Sequence, residues 1–86
     1  MGRAQRIKPA KLGEKLLMIR QRLEYNMPQM AEALSDDLIT VHKQDIFRFE
    51  KGEREPSLII SLKYSKISEV SIETLIDDEI SLSGLE

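Results

Sequence analysis

Large apolar side chains recur along this chain at helical spacing. Leu12, Leu16, Ile19 and Leu23 fall at i, i+4, i+7 and i+11, one stripe of an α-helix running from Leu12 to about Glu24. Met30, Ala31 and Leu34 form a narrower apolar face, and Ala31 is small enough to let another helix come close. Asn26 precedes this segment as an N-cap, Gln29 holds the capping-box position, and Pro28 lies in the first turn, where its missing N–H costs little. A second helix over about Met27 to Leu34 is therefore predicted, with backbone N–H groups at its start free to meet a phosphate.

A third helix is expected to begin near Thr40 and to end at about Lys51, before Gly52, a residue suited to the positive φ of a helix stop. Pro56 and Ser57 then open a fourth, to about Ile67, with Leu58, Ile59 and Leu62 expected inward. Glu69 stands at its end, where Gly or Asn would take positive φ more readily. Ser71 caps a fifth helix through Ile72, Leu75 and Ile76, with Glu73 near its positive end. No segment sustains period-two alternation with β-branched enrichment, so the expected fold class is all-α with five short helices.

The 86 residues, 41% of them hydrophobic, suffice for one domain with one core. The expected layout is a basic flexible arm over 1–11, a helical domain over 12–78 and a short tail over 79–86. With no cysteine, neither disulfides nor thiolate metal sites are available, which fits a reducing interior. No apolar run approaches a membrane span and the first residues lack the apolar core of a secretory signal, so a cytoplasmic, unprocessed protein is expected.

The net charge of −2 hides an asymmetry: residues 1–24 carry seven basic side chains against Glu14 and Glu24, a balance of +5, so the remainder carries −7. One end is basic and the other acidic, with Glu69, Glu73, Asp77, Asp78, Glu79 and Glu86 in the last third. Arg3, Arg6, Lys8 and Lys11 read either as an arm that follows a nucleic-acid backbone or enters a minor groove, or as a plain solvated tail. Enzyme chemistry has little to draw on: one histidine, no cysteine and no glycine-rich phosphate loop leave no nucleophile–base pair and no transition-metal site. Asp77, Asp78 and Glu79 lack the spacing and glycine of a calcium loop. No metal, cofactor or small-molecule ligand is expected.

The stretch Ile46-Phe-Arg-Phe-Glu-Lys-Gly-Glu-Arg-Glu-Pro-Ser57 joins a helix end, a charged turn and a helix start. Its Ile46, Glu50, Gly52 and Pro56 resemble the Ile-x-x-x-Glu-x-Gly-x-x-x-Pro pattern of phage-repressor-type helix-turn-helix proteins, the lambda repressor and Cro (Xre-type) superfamily. The opening Leu12-Gly13-x-x-Leu16-x-x-Ile19-Arg20 and the close Val70-Ser-Ile-Glu-x-Leu-Ile76 are similar to the family's first and fifth helices. Residues 35–41 lengthen the connection between the second and third helices, as in some bacterial branches of the family that also end in a run like Leu75 to Glu79.

The resemblance implies a five-helix lambda-repressor-like domain that binds duplex DNA through a major-groove recognition helix and regulates transcription as a repressor. It places base contacts at Lys43, Gln44 and Arg48, with His42 and Phe47 beside them. Lys and Arg donate to guanine O6 and N7, and Gln pairs with adenine N6 and N7, although the same set also makes an ordinary solvated helix face. Asp45 would accept from cytosine N4 or repel phosphate. Phosphate contacts fall on Asn26, Met27, Gln29, Lys51 and Arg54. Arg20 and Glu50 match a partly buried structural salt bridge, with Arg20 also near a phosphate. Phe49 takes a core position, leaving Phe47 to pack under the linker or on a thymine methyl.

Two copies on a two-fold symmetric site are expected, with Leu75, Ile76, Ile80, Leu82 and Leu85 as candidates for the dimer surface, Ile80 to Leu85 reading equally as a segment packed on its own domain or loose. The acidic carboxyl half and the acid-bearing linker also fit a second class, a protein-interaction module such as an antitoxin or adaptor with weak or no specific DNA binding.

Overall fold

The computed structural model describes residues 11–80; Arg3, Arg6 and Lys8 of the expected arm, and Leu82 and Leu85, lie outside the described residues. The described chain is all-α, with no strand among these residues and helices α1 (Leu12–Leu23), α2 (Met27–Leu34), α3 (Lys43–Lys51), α4 (Leu58–Ser68) and α5 (Ile72–Ile76). No described helix is long and apolar enough to cross a membrane.

The helices close on one core. Leu12, Leu16 and Ile19 from α1 meet Met30, Ala31 and Leu34 from α2, Ile46 and Phe49 from α3, Tyr64 from α4 and Leu75 from α5, with Val41 and Val70 from the connections. Helix α1 packs closely on α3 at Gly13. A Cβ on Gly13 would lie 2.7 Å from the Glu50 carbonyl oxygen and 3.0 Å from that of Phe49, so the absent side chain lets α1 sit directly on the α3 backbone. Gly13→Ala is therefore expected to lower stability by about 1–3 kcal/mol, despite alanine's better helix propensity, because backbone must move. A chemical-denaturation midpoint equal to or above wild type would contradict that packing.

Helix ends follow local chemistry. Asn26 Oδ1 accepts from the Gln29 amide and Gln29 Oε1 from the Asn26 amide, each at 2.8 Å, closing the capping box of α2. Ser57 and Ser71 cap α4 and α5 by accepting the amides of Ile60 and Thr74. Gly52 ends α3 at φ 77°, while Glu24 and Glu69 end α1 and α4 in the same left-handed region at φ 60° and 61° without glycine's freedom.

Two expectations need correction. The third helix starts at Lys43, not near Thr40, because the residues before it are held in an extended loop. Ser35 Oγ accepts the Val41 amide and donates to the Ala31 carbonyl, both at 2.8 Å, and Val41 is drawn into the core. Asp36 closes the inner turn, its Oδ1 accepting the amides of Leu38 at 2.8 Å and Ile39 at 2.9 Å, while Oδ2 pairs with Lys63 of α4. The Lys63 hydrogen bond and these two amides hold the Asp36 carboxyl down at about 2. Their contribution to the loop is present above the ordinary aspartate value near 4 and is lost as pH falls through about 2. An NMR titration of Asp36 should give that low midpoint; an ordinary one would contradict the turn.

The second correction concerns α4. Leu58, Ile59 and Leu62 do not point inward; they are 76%, 56% and 41% exposed, and the inner face is Ser61 and Tyr64 with Ile60 and Ile67 partly buried. Apolar residues occur on nearly every side of this helix, so periodicity cannot choose its inner face. Tyr64, fully buried and close enough to Arg20 and Glu50 to feel their charges, fills the interior side instead.

Candidate functional site

The outer face of α3 is opposite Ile46 and Phe49, the two residues it buries. At i, i+1, i+4, i+5 and i+8 it presents Lys43, Gln44, Phe47, Arg48 and Lys51, all exposed, with His42 exposed at the N-cap. Lys43, Gln44, Phe47 and Arg48 line one shallow, open depression together with Met27 from the first turn of α2 and Glu53 from the turn after α3. Phe47 thus lies toward α2 and the basic face. Lys51 Nζ sits 5.5 Å from the centre of its ring.

The cations of this protein divide into two groups. Several are committed to the fold. Arg20 donates from Nε to Glu50 Oε2 at 2.7 Å and from Nη2 to Oε1 at 3.0 Å, and from Nη1 to the Tyr25 carbonyl at 3.1 Å. The pair is largely buried, with Arg20 and Glu50 side chains 16% and 6% exposed, and the Glu50 hydrogen bond raises the guanidinium above its usual value against the opposing effect of burial. All three Arg20 nitrogens therefore already serve internal partners, so its main work is to join α1 to the end of α3. Lys15 is buried and donates to the carbonyls of Thr74 at 2.7 Å and Asp77 at 2.8 Å, satisfying the carboxyl end of α5.

Arg54 pairs with Asp45 Oδ1 at 2.8 Å and lies over the Phe49 ring, so it is only partly available to an outside anion. Asp45 Oδ2 accepts the His42 amide at 2.9 Å. Its carboxylate thus caps α3 and anchors the following turn, and both oxygens already have partners. In contrast, among the described residues no side-chain hydrogen bond or ion pair engages Lys43, Gln44 or Arg48.

At the start of α2 the expected set of open amides is much reduced. The capping box occupies the N–H groups of Asn26 and Gln29, Pro28 has none, and Met30 donates to the Asn26 carbonyl at 2.9 Å. Among the described residues Met27 retains an uncommitted amide in this turn, and the exposed Asn26 and Gln29 carry side-chain NH2 groups beside it. The sequence pattern that identifies the cap also explains why its amides are taken.

The acidic run is itself built into the structure. Asp78 Oδ1 accepts the Lys11 amide at 3.0 Å, and Asp77 Oδ1 accepts that of Glu79 at 2.9 Å. Lys11 is accordingly fixed through its backbone at the entry to α1, while its side chain is exposed. Among the described residues no cluster of three or more His, Cys, Asp or Glu side chains could hold a metal ion.

Sequence reading passes over Glu53, which lines the depression, and Lys15, which ties α1 to the carboxyl end of α5. The carbonyls that hold Lys15 are 59 and 62 positions away, and no local pattern announces them. The chain matches no protein-family model, no curated protein and no solved structure in comparisons with each.

Proposed function

We propose that this protein binds double-stranded DNA sequence-specifically, with α3 as the recognition helix in the major groove, and acts as a transcriptional regulator of the phage-repressor (Xre) type, in the repressor mode. The observation that carries this reading is the contrast within α3. Lys43, Gln44 and Arg48 are exposed together on one face and have no side-chain partner among the described residues, whereas Asp45, between them, turns back to cap the helix. A donor-rich face of this kind suits guanine and adenine edges. Asn26, Met27 and Gln29 beside it, with Lys51 and the partly committed Arg54, supply groups that suit phosphates and set register. Two copies on a two-fold symmetric site would double these contacts.

Titrating salt provides a direct test. Binding that neutralises phosphates weakens linearly in log affinity against log salt, with a slope near −0.9 per phosphate neutralised. Lys51→Ala should flatten that slope by about one phosphate's worth per copy and weaken all duplexes alike. Affinity for DNA that does not respond to salt would contradict the assignment. Leu38 at 92% exposure and the apolar outer side of α4 favour a second reading, a protein-interaction module such as an antitoxin or adaptor. That reading predicts tight, salt-insensitive binding to a protein.

A further inference from the structure

Phe47 and Phe49 stand two residues apart on α3, so they cannot share a face of the helix. Phe49 is in the core, while Phe47 is 44% exposed. Among the described residues the other exposed large apolar side chains are Leu38, Leu58, Ile59, Leu62 and Ile76; Leu75, expected at a dimer surface, is fully buried. Phe47 differs from these in its surroundings. It lines the shallow depression shared with Met27, Lys43, Gln44, Arg48 and Glu53, and no residue of the 35–41 linker belongs to that lining. The ring is therefore turned to the basic face and does not pack under the linker. Lys51 Nζ over the ring favours this placement.

What such a ring can meet is set by the groove. Lys43 precedes Phe47 by one turn, about 6 Å along the helix axis, and Arg48 follows it directly, so a base pair near those donors is also near the ring. Base edges in the major groove are hydrogen-bond donors and acceptors with one apolar exception, the methyl group on C5 of a pyrimidine. An aromatic ring pressed on the polar groups takes away their water without replacing it, whereas against the methyl it gains the free energy of burying it. We infer that the depression beside Phe47 and Met27 takes the C5-methyl group of a pyrimidine in the duplex, with Phe47 as the residue that selects it. The inference rests on the proposed reading of α3 as the recognition helix. Two bases carry the group. Thymine presents an acceptor, O4, next to its methyl and suits Lys43, Gln44 and Arg48; C5-methylated cytosine presents a donor, its N4 amine, and suits the Glu53 carboxylate in the same depression.

The test uses the duplex that the full chain enriches from a randomised pool. Each thymine is replaced in turn by deoxyuridine, which lacks only the methyl, and each cytosine in turn by its C5-methylated form, which adds only the methyl. At one position of each half-site, removal should weaken wild-type binding by about 3- to 5-fold, or addition should strengthen it by as much, the transfer value of a single methyl group. A loss with deoxyuridine identifies thymine as the source, and a gain with the methylated base identifies cytosine. Phe47→Ala should bind the two forms equally at that position, with a melt near wild type because the ring is outside the core, and Phe47→Leu should keep part of the preference. The wild-type comparison needs no variant. An enriched duplex in which no methyl change moves affinity, or a methyl response that Phe47→Ala retains in full, overturns the inference and leaves the proposed function standing. No enriched duplex at all removes both.

Discussion

Alanine at Lys43, Gln44 and Arg48 together will abolish discrimination between a preferred duplex and a random one, while helix content and melting temperature stay near wild type. All three side chains are exposed, and none holds another part of the fold, so their removal should move stability little. A good bidentate contact to a base edge contributes about 1–3 kcal/mol of discrimination. Losing three should reduce the ratio of specific to non-specific affinity by roughly 100-fold or more, even after allowing for non-additivity. Competition anisotropy with labelled duplexes reads that ratio directly. Non-specific binding should persist through Lys51 and Arg54, so total loss of DNA affinity is not the expected outcome. If the triple variant keeps wild-type discrimination, α3 is not the reader.

The second large effect is on stability. Glu50→Ala removes the carboxylate that takes two of Arg20's donors and leaves a guanidinium only 16% exposed. Breaking one partner of a buried pair costs on the order of 3–5 kcal/mol, and the lower end applies because Arg20 keeps some water and the Tyr25 carbonyl. A domain of this size has roughly 4–13 kcal/mol in total, so the variant should melt at least about 10 °C lower and stand close to unfolding at 37 °C.

Two controls separate this from a general effect of lost charge. Arg54→Ala breaks an ion pair whose arginine is 56% exposed, and should cost within about 1 kcal/mol. Replacing both partners, as in Arg20→Met with Glu50→Leu, should recover much of the loss, because no buried charge then remains unpaired. A Glu50→Ala melt close to that of Arg54→Ala would contradict a structural role for the buried pair.

The parts of the fold legible in the sequence are those with local causes. Asn26 and Gln29 sit three apart and cap each other, Ser57 and Ser71 cap the next amides, and Gly52 is where a helix stops. Each needs only its own turn. The all-α class follows from the same kind of information, since helical stripes recur and strand alternation does not. The start of α3 depends on Ser35 reaching Val41 and on Asp36 meeting Lys63 from another helix, contacts that no periodicity encodes. The inner face of α4 could not be chosen from apolarity, because both faces are apolar; the burial of Tyr64 in the shared core decides it in three dimensions.

The candidate site divides along the same line. That Lys43, Gln44, Phe47 and Arg48 share a face follows from spacing alone once α3 is a helix. Which polar groups stay available does not. Asp45 reads as a possible base contact until its carboxylate is seen bound to His42 and Arg54, and the amides of Asn26 and Gln29 read as open until the cap closes on them. Availability is decided by the partners the fold supplies.

Selection of the wild-type chain against a randomised duplex pool, beside the Lys43, Gln44 and Arg48 triple alanine variant, tests the central claim most directly. The account predicts a two-fold symmetric motif enriched by wild type and not by the variant, with half-sites about one helical turn apart. The absence of any enriched motif at low salt, from protein with a wild-type melt, would contradict it.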